Sequence, residues 1–369
     1  MPKNKPKKFR QDEHIVDNIE LNIWEALIPV VALVGMLAYN VYVFGDEAIG
    51  GSNQFILLMG GAVAAIVGFF NKVSYKQMLA EVAENVKSTT GALLILLMVG
   101  ALAGTWLISG IIPAMIYYGL QILNPTIFLA ACVIISAIIS IATGSSWTTS
   151  ATVGIALIGI GEALGISLGM TAGAVLSGAY FGDKMSPLSD TTNLAPAMAG
   201  GELFDHIKYM TITTVPTILI TLAVFIIMGF TIDTTGSADT ESILNSIDAT
   251  LNINGWLFIV PVVVIVLIVK KTPPLAALLI GTLLGAVFAI IFQPDIVASI
   301  TGAKELTFES AYKGILKAIT VKTSIATDNT ALNDLFSAKG MVGMLGTIWL
   351  IICAMVFGGV MDGIGALSR

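Results

Sequence analysis

Apolar runs long enough to cross a bilayer alternate with short polar segments along the whole chain. A membrane span needs about 20 apolar residues. The runs that reach or approach this length are Trp24–Phe44, Gln54–Phe70, Gly91–Ser109, Thr126–Ala142, Tyr209–Phe230, Gly255–Val269, Leu275–Phe292 and Met341–Met361, and two shorter stretches are Trp147–Leu164 and Ser167–Phe181. The pattern predicts an all-α polytopic membrane protein.

Two further segments mix charged and apolar positions and predict amphipathic helices at the membrane interface, Tyr75–Ser88 and Ala311–Thr323. Composition agrees with a membrane protein, since 56% of the residues are hydrophobic and only 11% are charged. A soluble domain carries about 25% charged residues. We therefore expect no soluble domain.

The distribution of basic residues predicts the orientation of the chain. The tail at 1–23 holds Lys3, Lys5, Lys7, Lys8 and Arg10, whereas the loop at 231–254 is acidic and contains neither Lys nor Arg. Basic segments stay in the cytoplasm. We therefore expect a cytoplasmic N-terminal tail and an acidic external loop.

Short sequence matches recur in the same order in both halves of the chain. Trp24–Val31 matches Trp256–Val263, Gly61–Ile66 matches Gly285–Ile290, and Tyr75–Leu79 matches Tyr312–Leu316. With the predicted orientation, the first membrane repeat (24–230) and the second (255–369) enter from opposite sides. This predicts an inverted repeat with broken helices or re-entrant hairpins. The second copy is the shorter, so we expect the native protein to continue past Arg369 by roughly 90 residues.

The polar centre of the chain is the segment Gly182–Pro196. It brings two acidic residues and one basic residue into a region where only Glu162 is charged between Ser88 and Phe181. Its polar members are Asp183, Lys184, Ser186, Ser189, Asp190, Thr191, Thr192 and Asn193, and Pro187 and Pro196 prevent a regular helix. Irregular backbone at membrane depth is tolerated only inside protein or beside a wet cavity. We interpret this segment as half of an ion site.

A second polar cluster, Thr143–Thr152, has seven hydroxyl side chains in ten residues around Gly144. Hydroxyl and carbonyl oxygens are hard donors that suit Na+, and broken helices present them at their ends. The candidates are Ser145, Ser146, Thr148 and Thr149. A structural alternative stays open, since such hydroxyls also bond to their own backbone or pack between helices.

Asp183 and Asp190 are the charged candidates. A carboxylate at helix depth costs about 2.5–3.5 kcal/mol on insertion scales, and either a proton or a cation removes that cost. One group can therefore hold H+ or Na+ in turn, which is the basis of an antiporter. We expect Na+ at Asp190, Thr148 and Thr149. Asp362 is a further candidate, with a solvated position at the interface as the alternative.

Signatures of other function classes are missing from the sequence. No Gly-x-x-x-x-Gly-Lys-Ser/Thr phosphate loop and no His-Glu-x-x-His metal motif occur, and only two histidines are present. We therefore expect a gradient-driven transporter that is not an enzyme and has no cofactor besides the transported ions.

The two polar clusters, Gly144–Thr152 and Gly182–Ala195, resemble those of the NhaC-type sodium/proton antiporter family. The resemblance implies a bacterial inner-membrane protein that exchanges Na+ for H+, and some relatives couple this exchange to malate and lactate. The wider ion transporter superfamily implies hairpins whose tips meet at the substrate. Under that analogy one tip is formed by Ser145, Ser146, Thr148 and Thr149, and the other by Ser189, Asp190, Thr191, Thr192 and Asn193.

Three alternatives to cation exchange stay open: coupled antiport of an organic anion of the malate or lactate type, a passive channel and an intramembrane enzyme. An anion needs a fixed cation, but Arg occurs only as Arg10 and Arg369, and Lys184 is the sole basic residue near the polar centre. This favours cation exchange. The expected partners are the lipid bilayer, Na+ and H+, with no nucleic acid, and a homodimer is left open.

Overall fold

The computed structural model of the chain describes residues 21–122, 124–187, 189, 192, 196, 202–231, 240–270, 272–328, 333 and 336–366. Within these ranges seven helices are long and apolar enough to cross a bilayer. An eighth candidate is a pair of helices, Glu241–Thr250 and Gly255–Ile268, which meet at 90°. The prediction of an all-α polytopic membrane protein is confirmed, whereas the inverted repeat stays a prediction.

The helices of the first half are α1 (Ile23–Phe44), α2 (Ser52–Phe70), α3 (Tyr75–Ile108), α4 (Ile111–Ile122), α5 (Pro125–Thr143), α6 (Ser146–Thr149), α7 (Ile155–Ala163), α8 (Leu168–Met185) and α9 (Leu203–Thr231). The elements of the second half are α10 (Thr240–Thr250), α11 (Ile259–Val269), α12 (Pro274–Phe292), α13 (Pro294–Ile300), α14 (Phe308–Thr320), β1 (Thr323–Ser324), β2 (Ser337–Ala338) and α15 (Leu345–Gly363). Short 3-10 helices lie at Gly45–Gly50, Gly255–Phe258 and Met341–Met344, and one turn of π-helix, Ser150–Gly154, joins α6 to α7.

The structure differs from the sequence prediction at α3. The predicted interfacial helix Tyr75–Ser88 and the predicted span Gly91–Ser109 form one helix of 34 residues. The polarity of the chain changes between them, but no proline lies between Tyr75 and Ile108. A change from amphipathic to apolar pattern alone does not end a helix, because only a breaker or a cap does so.

The predicted acidic loop at 231–254 also differs, because it contains helix α10. Ile243, Ile247 and Leu251 recur at helical spacing and are buried in the main core. These three apolar residues explain why a segment of acidic composition folds as a helix. Residues 232–239 of the predicted loop lie outside the described part of the chain.

The chain folds into two compact units. Unit 1 comprises residues 1–93 and 345–369. In it α2 packs against both α1 and α15, over a small core that includes Ala64, Val67, Met78, Val360 and Ile364. Helices α15 and α3 meet closely, because a Cβ at Gly359 would lie 2.5 Å from the Cα of Val82.

Unit 2 comprises residues 94–344 and contains the larger core. Its most extensive helix pair is α5 with α8. A Cβ at Gly178 would lie 2.1 Å from the carbonyl oxygen of Val133, and a Cβ at Gly182 would lie 2.5 Å from that of Ala137. Glycines spaced by four residues allow two membrane helices to approach this closely, so the two backbones are in direct contact along one face.

Replacing Gly178 by Ala is expected to destabilise the protein, because the new methyl group would overlap the backbone of α5. Overpacking costs about 1–3 kcal/mol, which should lower the melting temperature of the purified protein in detergent. The control is Gly169→Ala on the same helix, where the nearest atom outside the chain neighbours is 3.8 Å away. Equal melting temperatures for the two variants would contradict the packing described here.

Candidate functional site

Two helix ends meet where α5 and α8 stop. Helix α5 begins at Pro125 with its cap Asn124, whose side chain accepts a hydrogen bond from the Thr126 amide. It ends at Gly144, which has a left-handed backbone with φ of 68°. Glycine adopts this conformation without strain, and it allows the chain to start α6 at Ser146 after one short turn.

Helix α8 brings a carboxylate to the same place. Gly182 is held against α5, and the next residue is Asp183 in the last turn of α8. The Ser146 hydroxyl donates a hydrogen bond of 3.1 Å to the Asp183 carboxylate. Ser146 is buried and Asp183 is half-buried. The two polar clusters that are 37 residues apart in sequence therefore converge at this contact.

Two further serines fasten the ends of α5 and α8 together. Ser140 on α5 donates to the carbonyl oxygen of Ala179 at 2.6 Å, and Ser186 donates to the carbonyl oxygen of Ile141 at 2.7 Å. Both side chains are fully buried. Hydrogen bonds in an apolar setting are strong, so these contacts fix the position of Asp183 relative to α5.

Thr192, which follows α8 in the sequence, contacts the backbone at the end of α8. Thr192 donates through its hydroxyl to the carbonyl oxygen of Asp183 at 3.0 Å, with a longer contact of 3.3 Å to that of Lys184. The Thr192 amide in turn donates to the Ser189 hydroxyl at 3.3 Å. Ser189 and Thr192 are both buried. Of the predicted site residues after α8, the structure describes Ser189 and Thr192, and both lie close to Asp183.

The hydroxyls of the second cluster divide into two kinds. Those of Thr149 and Ser150 donate to carbonyl oxygens one turn back, to Ser145 at 2.9 Å and to Ser146 at 2.8 Å. This is the structural alternative given above for membrane helices. The Ser146 hydroxyl instead points to another helix. A hydroxyl that donates its hydrogen keeps acceptor lone pairs on the same oxygen, so Thr149 stays a candidate ligand.

Part of the predicted site lies outside the described residues. This applies to Asp190, Thr191, Asn193 and the side chain of Thr148. The predicted Na+ position at Asp190, Thr148 and Thr149 therefore stays a prediction. Lys184 is exposed and, among the described residues, forms no ion pair with Asp183 or any other carboxylate.

Asp362 belongs to unit 1, not to the unit that contains Asp183. Its carboxylate accepts a hydrogen bond of 3.0 Å from the Asn85 side chain, which joins α15 to α3. The contact is exposed, and the position of Asp362 relative to the membrane interface stays a prediction. The geometry gives Asp362 a role in holding two helices together.

The donor set around Asp183 consists of oxygen atoms. Among the described residues no group of three or more His, Cys, Asp or Glu side chains could hold a metal ion. Hydroxyl, carbonyl and single carboxylate oxygens suit a hard monovalent cation better than a transition metal. A π-helical turn, Ser150–Gly154, follows α6 directly in the chain. Such turns often occur at functional sites.

Sequence reasoning did not identify the residues that create this meeting point, Ser140, Gly178 and Gly182. The spacing Gly178-x-x-x-Gly182 was the available signal, because small residues four apart mark close helix contacts in membranes. The partner helix could not be read from that spacing.

Comparison with known proteins gives a consistent result. The family model described as Na+/H+ antiporter family matches residues 178–369. The chain is 39% identical to the malate-2H+/Na+-lactate antiporter of Bacillus subtilis over 93% of the chain and 70% of that relative. It is 33% identical to an uncharacterized Na+/H+ antiporter of Haemophilus influenzae, over 93% of the chain and 71% of that relative.

A third relative is the Na+/H+ antiporter NhaC of Alkalihalophilus pseudofirmus, 34% identical over 83% of the chain and 63% of that protein. No solved structure matches the chain significantly.

Replacing Thr192 by Val is expected to release the segment after α8, because the variant loses the donor to the Asp183 carbonyl oxygen. Hydrogen–deuterium exchange should become faster at the amides of Ser186 and Ser189 than in the unmodified protein. The control is Thr217→Val, which removes a hydroxyl that, within the described part of the chain, bonds to the Thr213 carbonyl oxygen of its own helix α9. Unchanged exchange in Thr192→Val would show that this hydrogen bond does not hold the segment.

Proposed function

The chain belongs to the Na+/H+ antiporter family, and we propose that it is a secondary active transporter that exchanges Na+ for H+ across the bacterial inner membrane. The contact between the Ser146 hydroxyl and the Asp183 carboxylate is the observation that carries this proposal. It places one ionisable group among oxygen donors where two helices end.

The chemistry of exchange follows from the cost of an unneutralised carboxylate at this position. A half-buried carboxylate is stabilised by a bound proton or by a bound cation, and the two compete for the same oxygen atoms. Na+ arriving from one side therefore displaces H+, and the reverse occurs on the other side. Either neutral form allows the site to change its exposure between the two sides of the membrane.

The Ser146 hydroxyl has two roles in this scheme. It donates a hydrogen bond to the empty carboxylate, and after rotation its oxygen can become a ligand of Na+. Thr149 and carbonyl oxygens of the last turn of α5 are the further candidate ligands, because the last carbonyls of a helix lack the usual amide partner within the helix; the Ile141 carbonyl oxygen already accepts from Ser186. Asp190 and Thr148 remain proposed members of the site on the basis of sequence.

Topology is proposed on the basis of charge. The basic tail at 1–23 should be cytoplasmic and the acidic segment before α10 should be external, since positive residues stay inside. The chain is a multi-pass membrane protein. The tail and the acidic segment lie on opposite sides of the membrane only if an odd number of spans separates them.

Organic-anion antiport is the second candidate. One relative is named a malate-2H+/Na+-lactate antiporter, and Lys184 is an exposed cation next to Asp183 without an ion-pair partner among the described residues. A single lysine is a weak recognition site for a dicarboxylate, which is usually bound by paired donors such as Arg. Cation exchange is therefore the better supported function.

Asp183→Asn is expected to abolish Na+-driven proton movement in proteoliposomes, because an amide cannot exchange a proton for a cation. The measurement is the internal pH change after an imposed Na+ gradient, with and without malate or lactate. The control is Glu162→Gln, which removes an exposed carboxylate at the end of α7 and should keep full activity. Full exchange by Asp183→Asn would refute the assignment. A dependence on the organic acid in the unmodified protein would favour the second candidate.

Ser146→Ala is expected to raise the Na+ concentration for half-maximal exchange by at least about tenfold, since a hydrogen bond to a charged group is worth about 1.5–3 kcal/mol. Ser150→Ala provides the control, because among the described residues its hydroxyl bonds to the carbonyl oxygen of Ser146 and not to Asp183. If both variants have the half-saturation of the unmodified protein, Ser146 only packs between the helices.

A further inference from the structure

The turn between α2 and α3 is an exposed basic element that the site at Asp183 does not use. Lys72 and Lys76 are both exposed, and among the described residues neither of them forms an ion pair. No acidic residue occurs in the sequence between Glu47 and Glu81. Two positive charges therefore lie at this turn without a negative partner from the neighbouring sequence.

The backbone of Lys72 has an uncommon conformation. Its φ is 62°, and it is the only residue other than glycine with a positive φ among those that the structure describes. The Lys72 amide donates to the carbonyl oxygen of Phe69 at 3.1 Å, and the Val73 amide donates to that of Gly68 at 2.9 Å. This pair of bonds ends many helices, and glycine usually occupies the left-handed position. A lysine there is strained, because its Cβ crowds the following carbonyl oxygen.

The strain at Lys72 points to a use for its side chain. A cation near the last turn of a helix gains free energy from the helix dipole, but at an exposed helix end this gain is smaller than the cost of the left-handed backbone. Local structure alone therefore favours glycine at this position. Strained backbone of this kind clusters at active sites and at ligand contacts.

The core of unit 1 holds the turn in place. Val73 and Met78 are buried in that core, and the Asn71 side chain donates to the carbonyl oxygen of Val67 at 3.0 Å. These contacts fix the backbone that carries the two lysines. A fixed backbone lowers the conformational entropy that is lost when a ligand binds.

The turn lies at the edge of the apolar layer of the membrane. Helix α2 is a candidate span of 19 residues that ends at Phe70. At about 1.5 Å per residue it is about 28 Å long, which is close to the roughly 30 Å of the hydrocarbon layer. The residues that follow Phe70 therefore reach the level of the lipid headgroups.

Exposed aromatic side chains flank the turn. Phe69 is 53% exposed and Phe70 is 84% exposed just before it, and Tyr75 is 65% exposed just after it. Aromatic rings are typical of the boundary between acyl chains and headgroups. The turn therefore combines apolar surface for acyl chains with two ammonium groups for a headgroup.

The two lysines can share one headgroup. Four residues of chain span at most about 14 Å, and each ammonium lies at the end of a flexible four-carbon stem. A zwitterionic headgroup brings a cation of its own to the lysines, whereas an anionic headgroup brings only negative charge. Basic residues next to a span attract anionic lipids, so charge complementarity favours an anionic phospholipid.

We propose that the turn between α2 and α3 binds the headgroup of an anionic phospholipid through Lys72 and Lys76, with the acyl chains along Phe69 and Phe70. The strained backbone of Lys72 places a positive charge where local structure alone favours glycine. The surface lies in unit 1, and the proposal does not depend on Na+/H+ exchange.

The first experiment measures lipid binding to the full chain in detergent. Phosphatidylglycerol is titrated, and the bound lipid is counted by native mass spectrometry. Lys72→Gln and Lys76→Gln should each raise the apparent Kd of the first bound lipid about fivefold. The control is Lys87→Gln, which removes an exposed lysine that pairs with Glu84 on α3 and should keep the affinity of the unmodified protein. Equal Kd values for all four proteins would overturn the proposal.

The same titration separates an anionic lipid from other ligands of the unmodified protein. Phosphatidylcholine should bind more weakly than phosphatidylglycerol. Inorganic phosphate should not compete with phosphatidylglycerol, because it has no acyl chains to contact Phe69 and Phe70. Equal affinity for the two lipids would show that the turn does not read the charge of the headgroup. Competition by inorganic phosphate would indicate a general anion site, and either result would overturn the proposal.

The second experiment tests the strain at Lys72. Lys72→Gly should raise the melting temperature of the delipidated protein in detergent, because glycine adopts the left-handed backbone without strain. The same variant should reduce the further increase on addition of phosphatidylglycerol. The control is Lys72→Gln, which keeps the strain and should reduce only the effect of the lipid. A lower melting temperature of Lys72→Gly together with an unaltered lipid effect would identify a structural role for Lys72 and contradict the proposal.

Discussion

The backbone contact between α5 and α8 is the constraint on which the site depends. It exists because Gly178 and Gly182 present no side chain to the carbonyl oxygens of α5. With the two helices at this distance, the residue after Gly182 has to lie beside the point where α5 ends. Asp183 reaches the Ser146 hydroxyl for this reason, and Ser140 and Ser186 hold the arrangement by hydrogen bonds to the opposite backbone.

Interrupted helices supply the chemistry at this point. A helix end exposes carbonyl oxygens, a left-handed glycine redirects the chain, and hydroxyl side chains follow at once. The result is a set of neutral oxygens around one carboxylate, at which we propose that a proton and a cation are alternatives.

The sequence predicted the features that leave a strong local signal. The apolar runs gave the spans, and the break at Gly144 followed from a glycine within a run of hydroxyls. The family resemblance rested on the polar clusters Gly144–Thr152 and Gly182–Ala195, and it is confirmed by the family model and the relatives. The contact between Ser146 and Asp183 was expected only in outline, because no local pattern specifies which helix packs against which.

The features that sequence reasoning missed share a physical cause. Their apolar residues are few and lie among polar residues, so the hydrophobic pattern is too weak to predict a helix or a hairpin. Helix α10 is stabilised by Ile243, Ile247 and Leu251 among acidic residues, and the hairpin of β1 and β2 by Ile325, Phe336 and Ala338. The sequence also did not predict that α3 is continuous across a change of polarity. The polarity of a segment depends on the surroundings of the helix and does not mark where the helix ends. In each case tertiary packing decided the structure.

The central claim, that one carboxylate group binds Na+ and H+ in competition, is tested most directly by proton release on Na+ binding. The purified protein in weakly buffered detergent solution, with a pH indicator, is mixed with NaCl or with choline chloride. The account predicts that NaCl releases protons, that choline chloride does not, and that Asp183→Asn loses the difference. Na+ binding without proton release would contradict it.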